Sequence, residues 1–241
     1  MTLLREFIRE LLQEDASTPK VIFMAGGPGS GKSTVIRQLG LDGRLKVINP
    51  DDQYEADMQA EGIPMDRAAL LDEYSPVRTE YLAAEAASDE EAMAQLEPEY
   101  LRLRGLLSRN MKLFNKARKA AKEEQQEHIQ AGGEFLVDGT GGNYNEIATQ
   151  VQKLESAGYD TAMIFIDVPV DTSVERDQAR GDRGGRRLGR KTIERSHSAV
   201  SANKPRYEEL FGDDFFYVEN SGDNFINSID EIAAGIDRFL G

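Results

Sequence analysis

The feature that most constrains this chain is a glycine-rich segment at residues 26–33, which reads Gly-Gly-Pro-Gly-Ser-Gly-Lys-Ser. It satisfies the pattern G-x-x-x-x-G-K-S/T, directly follows an apolar run at residues 21–25, and precedes a helical pattern that starts at Thr34. A strand, such a loop and a helix in succession are typical of a phosphate-binding loop, or P-loop. Its glycines let backbone N–H groups turn toward a polyphosphate where side chains would clash. The segment therefore predicts binding of a nucleoside triphosphate.

Individual residues of this loop have expected roles. Lys32 is expected to reach the β- and γ-phosphates, and the Ser33 hydroxyl to ligate Mg²⁺. The start of the following helix would direct partial positive charge toward the anion. ATP and Mg²⁺ are therefore the expected cofactors. The predicted nucleotide-binding residues are Gly26, Gly27, Pro28, Gly29, Ser30, Gly31, Lys32, Ser33 and Thr34.

The distribution of apolar runs predicts the fold class. Five short runs alternate with helical patterns, which is typical of a parallel sheet covered by helices on both faces. We expect an α/β P-loop NTPase of the kinase-like type, a three-layer sandwich around a five-stranded parallel sheet. The chain is predicted to be one domain, residues 1–241, with an N-terminal helix (1–18), a helical insertion (53–131) and an Arg-rich lid (176–195). The predicted strands are residues 21–25, 45–48, 134–137, 161–167 and 215–218.

Composition excludes several classes of function. A net charge of −14 argues against a general binder of duplex DNA, which needs a basic surface. Because the chain has no Cys, disulfides and thiolate chemistry are ruled out, and two His make a His-rich metal site improbable. No apolar run is long enough for a membrane span. Charges interrupt the amphipathic N-terminal pattern, so we expect a helix docked on the domain rather than a signal peptide or a membrane contact. The expected location is cytoplasmic.

The insertion is predicted to be helical, with prolines as boundaries. Pro64, Pro76 and Pro98 are expected to separate its helices, with Ser75 and Ser88 as N-caps and a long helix from Glu99 to about Gln130. Residues 51–99 carry 15 acidic and 2 basic side chains, whereas residues 100–130 carry 8 basic and 3 acidic ones. Two interpretations stay open. The arms of a helical hairpin attract each other, or the basic arm lines the access route of a phosphate-bearing substrate.

Three further segments favour a kinase over other P-loop chemistries. No base-reading N-K-x-D segment of a GTPase is present, since Arg206 replaces the Asp in the nearest match. Asp51 and Asp52 follow the second predicted strand, where a carboxylate could accept the proton of a substrate hydroxyl. Either Asp could instead only cap a helix beginning near Tyr54. Asp138 ends the third strand and is the expected second Mg²⁺ ligand.

Residues 176–195 are predicted to form a mobile lid. This segment has 8 basic and 3 acidic side chains and is punctuated by glycines. Arg forks suit phosphate oxygens, and glycines suit a segment that closes and opens. No aromatic residue interleaves the arginines, so an RNA-binding arm is not favoured. The candidate catalytic lid residues are Arg180, Arg183 and Arg187, beside Lys32 and Asp51.

Together these motifs resemble the zeta-toxin and polynucleotide-kinase group of P-loop kinases, and phage-encoded zeta-toxin-like members most. The resemblance rests on the P-loop, Asn49-Pro-Asp-Asp, Asp138-Gly-Thr, Ala157-Gly-Tyr and the lid. It implies that Asp51 is the catalytic base and that Lys32 and Ser33 bind phosphate and Mg²⁺. Zeta toxins that act on UDP-N-acetylglucosamine have an Arg after the third strand. Here Gly141, Gly142 and Asn143 supply none, which puts that substrate in question.

The predicted function is therefore transfer of the γ-phosphoryl of ATP to a hydroxyl of a nucleotide-like or sugar-nucleotide substrate. Asp52, Thr140 and Asn143 are the expected substrate-binding residues; for Asn143 a helix cap is the simpler alternative. Two other functions stay open. One is a polynucleotide or modified-base DNA kinase, and the other is a nucleotide-gated interaction protein with little turnover. A small-molecule or nucleotide acceptor is the expected partner, and nucleic acid is not favoured.

Overall fold

A five-stranded parallel sheet forms the centre of the molecule, seen in a computed structural model that describes residues 18–222 and 224–241. The strand order is β2-β3-β1-β4-β5. Every strand begins and ends within one residue of its predicted run, so the predicted α/β class and kinase-like P-loop sheet are confirmed. The predicted N-terminal helix lies outside the described residues. The strands are β1 (Lys20–Ala25), β2 (Lys46–Ile48), β3 (Phe135–Asp138), β4 (Asp160–Asp167) and β5 (Phe215–Glu219).

Helices cover both faces of the sheet, because β1 and β4 are apolar on both sides. Alternate residues of β1 enter separate cores: Ile22 and Met24 pack toward α1 and α8, whereas Val21 and Phe23 pack toward α5 and α7. This is the predicted three-layer arrangement. The helices are α1 (Lys32–Gln38), α2 (Pro50–Ala60), α3 (Arg67–Ala87), α4 (Glu90–Gln130), α5 (Tyr144–Ser156), α6 (Val170–Asp182), α7 (Arg190–Phe211) and α8 (Asn224–Leu240).

The register of the central strands brings three loops to one edge of the sheet. Met24 of β1 pairs with Asp138 of β3, and Ile48 of β2 pairs with Val137 of β3. The segments that follow β1, β2 and β3 therefore leave the sheet side by side. This carboxyl edge is where open α/β sheets bind ligands.

The insertion consists of α2, a connecting loop and a hairpin of α3 and α4. A third small core joins α2 to α4 and contains Tyr54, Met58, Ile63, Leu113 and Ala117. Ion pairs also cross between its parts, from Lys116 to Asp57 at 2.8 Å and from Arg102 to Glu73 at 3.6 Å. The interpretation of attracting arms thus has a structural basis, although these exposed pairs contribute little stability individually.

The predicted helix boundaries in the insertion are wrong at two of three prolines. Pro76 lies inside α3 and Pro98 inside α4, and only Pro64 lies between helices. Both interior prolines are exposed, so water can satisfy the carbonyls that lose a backbone partner. Packing of the hairpin then outweighs the roughly 3 kcal/mol cost of an interior proline.

The two predicted N-caps in the insertion, Ser75 and Ser88, are also wrong. Ser75 is in the interior of α3, where its hydroxyl donates to the carbonyl of Leu71 at 2.7 Å, so it is not an N-cap. Ser88 ends α3 in the left-handed conformation with φ 53°. The cap of α4 is Asp89, whose carboxylate accepts from Ala92 N at 3.0 Å. The long helix therefore starts at Glu90 and not at Glu99.

Candidate active site

The loop after β1 has the shape expected of a phosphate cradle. Gly29 and Gly31 adopt φ of 77° and 92°, a left-handed conformation that favours glycine. The Lys32 ammonium donates to the carbonyl of Gly26 at 3.0 Å, which folds the side chain back across the loop. Ser33 is exposed at the start of α1. The loop thus presents backbone N–H groups, a cation and a hydroxyl to one space.

Three side chains from distant parts of the chain contact the backbone of the loop, and none of them is among the predicted site residues. Arg176 on α6 donates to Gly29 O at 3.0 Å. Asn220, after β5, donates from Nδ2 to Ser30 O at 2.5 Å. His197 on α7 places Nε2 3.2 Å from Pro28 O, so a hydrogen bond there requires the proton on Nε2.

The close fit of these supports explains part of the glycine pattern. A Cβ at Gly27 would lie 2.4 Å from the His197 ring, and one at Gly31 would lie 2.2 Å from Asn220 Nδ2. A side chain at either position would therefore have to displace His197 or Asn220 from its contact with the loop. No local motif marks Asn220 or His197 in the sequence. Their role is visible only in the folded structure, where each lies against a glycine of the loop.

The segment after β2 starts a helix earlier than predicted. The N-cap of α2 is Asn49, whose side-chain oxygen accepts from Asp51 N at 2.8 Å, and Pro50 is the first helical residue. Asp51 and Asp52 are thus in the first turn of α2, and neither caps a helix near Tyr54. Asp51 is partly buried and Asp52 is exposed. Proline suits this first position because it has no N–H to satisfy.

Asn49 also joins this segment to the end of β3. Its Nδ2 donates to Oδ2 of Asp138 at 3.0 Å, while Oδ1 of Asp138 is buried and has no hydrogen-bond partner in the described chain. Burial raises the pKa of the Asp138 carboxyl, the Lys32 ammonium partly opposes this, and Asp51 and Asp52 raise it further. A positive ligand beside Asp138 would relieve that cost.

The residues at this edge fit a bound Mg²⁺. Within residues 18–222 and 224–241, no group of three or more His, Asp or Glu side chains could hold a metal alone. Mg²⁺ in phosphate sites commonly takes one or two protein oxygens and completes its shell with phosphate and water. Ser33 and the unpartnered Oδ1 of Asp138 are such oxygens. They would hold the ion only together with a phosphate.

Of the predicted lid, residues 176–182 belong to α6 and residues 190–195 to α7, so only residues 183–189 form a loop. A buried carboxylate of α6 holds the end of this loop. Asp177 accepts hydrogen bonds from Leu188 N at 3.0 Å and from Gly189 N at 2.9 Å. This contact fixes the end of the loop against α6, directly after Arg186 and Arg187. In the sequence, Asp177 is only one of three acidic residues in a basic segment, and nothing there marks this role.

The lid arginines pair with carboxylates of the insertion. Arg186 donates to Asp51 at 2.6 Å, and its Nε lies 3.3 Å from a Glu55 oxygen without hydrogen-bond alignment. Arg180 pairs with the same Glu55. The lid arginine that reaches the candidate base is therefore Arg186, which was not among the three predicted.

The other two predicted lid arginines lie elsewhere in the same cavity. Arg183 is exposed. Arg187 pairs with Asp66 at 3.1 Å, and a parallel β-bridge joins the same two residues through the backbone. Arg67 N donates to Arg187 O and Arg187 N donates to Met65 O, both at 3.1 Å. The lid is thus attached to the loop that precedes α3.

The expected substrate-binding residues after β3 are also at this edge. The backbone oxygen of Thr140 accepts from Gly26 N at 2.9 Å, which joins this loop to the P-loop, and its side chain is exposed. The Asn143 side chain accepts from Glu146 N at 3.4 Å and caps α5. Asn143 therefore has the structural role given as its alternative, although it also faces the cavity.

One cavity of about 1840 Å³ contains most of these groups. Among the predicted site residues, only Gly26, Gly27 and Ser30 are absent from its lining. Thirteen basic and seven acidic side chains line it, although the whole chain carries −14. The cavity is thus an electropositive space in an acidic protein, which attracts anionic ligands.

Comparisons with solved structures support the fold. A candidate kinase from Chloroflexus aurantiacus superposes with a TM-score of 0.58 at 17% identity, over 93% of this chain and 100% of that one. A structure from the PezAT chromosomal toxin–antitoxin system of Streptococcus pneumoniae gives a TM-score of 0.52 at 13% identity, over 99% of this chain and 95% of that one. At such identities the likeness shows the fold alone.

A third solved structure is larger than this chain. It is AvrRxo1-ORF1:-ORF2 with ATP, which gives a TM-score of 0.52 at 14% identity. The match covers 89% of this chain but only 58% of that one.

A comparison with curated protein sequences finds no match. No helix in the described ranges is long and apolar enough to cross a membrane.

The family assignment rests on a sequence match that runs from β1 into α7. The AAA_33 family, described as an AAA domain, matches residues 21–202. That span contains the P-loop, both carboxylate segments and the lid. A kinase-like P-loop fold of this kind implies nucleotide binding, usually with Mg²⁺. With most of its length matched, the chain belongs to the AAA_33 family of AAA domains.

Proposed function

We propose that the protein is an ATP-dependent kinase that transfers the γ-phosphoryl group to a hydroxyl of a nucleotide-like or sugar-nucleotide acceptor. The observation that carries the proposal is that the P-loop, Asp51, Asp138 and the lid arginines line one electropositive cavity. A nucleotide switch needs the loop and a segment that responds to the γ-phosphate. A phosphotransferase also needs a base and mobile cations next to it.

The donor would lie along the P-loop, with Lys32 turning from Gly26 O to the β- and γ-phosphates. The Lys32 ammonium is held by one backbone carbonyl, so exchange for a phosphate oxygen replaces a neutral acceptor with a charged one. Ser33 and Asp138 would hold Mg²⁺, which neutralises phosphate charge when bound. Arg176, His197 and Asn220 keep the loop open and rigid meanwhile.

The acceptor would lie between α2 and the lid. The Asp51 carboxylate would take the proton of the acceptor hydroxyl. The oxygen of that hydroxyl forms a bond to the γ-phosphorus, and the bond between the γ-phosphorus and the β–γ bridging oxygen breaks to release ADP. In the structure Arg186 neutralises Asp51. The γ-phosphate of ATP is a competing anion for the same guanidinium. Movement of Arg186 to that phosphate would free Asp51 and place positive charge where the transferred group develops charge.

A transfer assay with labelled ATP tests this function. The acceptors are nucleosides, nucleotides, sugar phosphates, sugar nucleotides and a single-stranded oligonucleotide, each with and without Mg²⁺. We expect ADP release that depends on a small-molecule acceptor. Transfer to the oligonucleotide alone would support a polynucleotide kinase. ATP binding with no acceptor-dependent ADP release would support a nucleotide-gated interaction protein.

A further inference from the structure

The cavity contains a cation, Arg67, for which the proposed chemistry gives no role. It is the first residue of α3, is partly buried and lines the cavity beside the lid. Within the described ranges no carboxylate lies at ion-pair distance from it, and its polar side-chain contacts are Asn110 Oδ1 at 3.3 Å and Met111 Sδ at 3.8 Å. By contrast, Arg180, Arg186 and Arg187 are each paired with an acid.

A buried polar residue holds Arg67 in place. Asn110 is 1% exposed in the middle of α4, a position where an apolar residue is normal. Its Oδ1 accepts from Tyr54 OH at 2.8 Å and from Arg67, and its Nδ2 contacts Met58 Sδ at 3.6 Å. Burying an amide is costly unless its hydrogen bonds are satisfied, so these contacts fix one geometry. One terminal nitrogen of Arg67 makes both contacts, whereas in the described part of the chain Nε and the second terminal nitrogen have no hydrogen-bond partner.

Arg67 is also close to the proposed chemistry. Tyr54 is one turn along α2 from Asp51, and the Arg186 guanidinium lies 5.4 Å from its ring centroid. The charges on Arg186, Arg67 and Asp51 all influence the pKa of the Tyr54 hydroxyl. The candidate base, the lid cation and Arg67 therefore surround one buried phenol. An anion bound by Arg67 would lie in the part of the cavity next to α2 and the lid, where the acceptor is proposed to bind.

We propose that Arg67, held by Asn110, binds an oxyanion of the acceptor, a phosphate or a carboxylate, and so selects an acidic hydroxyl compound for presentation to Asp51. This inference rests on the proposed function and assigns recognition of the acceptor's anionic group to Arg67. The two available guanidinium nitrogens suit the two oxygens of such a group. On this basis the helical insertion provides acceptor specificity through α3 and α4.

Binding measured with the donor side filled tests the proposal without requiring turnover. Mg²⁺ and a non-hydrolysable ATP analogue saturate the P-loop, and calorimetry then follows matched probes. UMP against uridine and glucose 1-phosphate against glucose test phosphate, and glucuronate against glucose tests carboxylate. We expect at least one anionic probe to bind more tightly than its neutral match. Arg67→Gln should weaken it at least about tenfold, and Arg67→Lys less.

Two controls make the result specific. Arg109→Gln removes an exposed cation next to Asn110 on α4 and should leave the probe affinity unchanged. Asn110→Leu keeps Arg67 but removes its support, so it should weaken the anionic probe and not the ATP analogue. An unchanged affinity in Arg67→Gln, an equal loss in Arg109→Gln, or no preference of the wild type for anionic probes overturns the proposal.

The same variants separate this proposal from the proposed function. If Arg67-dependent probe binding is present but no compound accepts phosphate, the kinase assignment fails and the anion site stands. If neutral acceptors are phosphorylated equally well by wild type and Arg67→Gln, the kinase assignment stands and the Arg67 site is wrong.

Discussion

The donor and acceptor halves of the cavity are built in opposite ways. The donor half is eight consecutive residues, and the contacts that support it end on backbone carbonyls of Gly29, Ser30 and Pro28. The acceptor half is assembled from α2, the start of α3, the middle of α4 and the lid, and side-chain ion pairs join its parts. The phosphate-binding groups of the P-loop are therefore contiguous in the sequence and distant side chains only support their backbone, whereas the binding groups of the acceptor half themselves come from distant segments.

This difference predicts how each half responds to mutation. A variant in the donor half should abolish transfer to every acceptor, because the loop holds the nucleotide common to all reactions. A variant in the acceptor half should leave ATP binding nearly intact and change the rate or the choice of acceptor. The following experiments test that division, from the largest expected effect to the smallest.

Lys32→Ala should have the largest effect, a loss of transfer of at least about a thousandfold, because it removes the cation nearest the transferred charge. ATP affinity should fall as well. The fold should be retained, since Lys32 contacts only the Gly26 carbonyl among its polar neighbours in the described chain. Steady-state transfer, ATP titration and circular dichroism measure this. Lys112→Ala, an exposed lysine on α4, is the matched control, and transfer by Lys32→Ala near the wild-type rate would contradict the assignment of the cradle.

Asp51→Asn should slow transfer at least about a hundredfold, the low end for a lost general base, while Mg·ATP binds nearly normally. Asn keeps the size of the side chain and removes the proton acceptor. Asp52→Asn should have much less effect because Asp52 is exposed and caps no helix. If Asp52→Asn is the inactive variant, the base is one residue further along; if both are active, Asp138 becomes the next candidate.

Arg186→Gln should slow transfer about tenfold to a hundredfold with a smaller loss of ATP affinity, because its charge acts on the transition state. Arg180→Gln, Arg183→Gln and Arg187→Gln, tested one at a time, are the comparison. Arg183→Gln should have the least effect, since this residue is exposed and no ion pair joins it to another described residue. Equal losses of rate and affinity in all four would indicate ground-state binding by the lid.

The smallest expected effect is a pH-dependent change in Tm when Asp138 is replaced by Asn. Burial raises the pKa of Asp138, so the folded state holds its proton more tightly than the unfolded state does. Stability from this group is therefore complete below its unfolded pKa and declines as pH rises through the folded value. Asp138→Asn should remove that decline and raise Tm at pH 7 by roughly 2–4 °C, the change that about 1 kcal/mol makes in a chain of this size.

Thermal scans of both proteins between pH 4 and pH 8 check this prediction. The difference in Tm should grow with pH and then level off. A constant difference across the range would mean that Asp138 does not carry the cost of burial. Transfer by Asp138→Asn should fall in the same preparation, because a proposed Mg²⁺ ligand is lost.

The donor half and the sheet were predictable because their signals are local. Apolar runs of the right length located all five strands within a residue, and the P-loop pattern located the cradle. Boundaries in the insertion were not predictable from prolines, since exposure of Pro76 and Pro98 makes an interior proline tolerable and exposure depends on the tertiary fold.

The contacts of the acceptor half could not be predicted from the sequence, because they too depend on the tertiary fold. Arg186 meets Asp51 across 135 positions and Asn110 meets Tyr54 across 56, and no local pattern encodes such pairs. The sequence did contain a usable signal for Asn110, a polar residue in the apolar stripe of a long helix. A buried amide at such a position points to a network that holds another group in place.

The backbone bridge between Asp66 and Arg187 couples the position of the lid to that of the hairpin formed by α3 and α4. Because the lid shares two hydrogen bonds with the loop at the base of α3, the lid cannot swing away from α2 without carrying that base along or breaking both bonds. The 21 residues of α3 extend the arm by about 30 Å, so a rotation of about 10° at its base displaces its far end by about 5 Å. A contact that clamps the far end would therefore restrain the lid from outside the catalytic cavity.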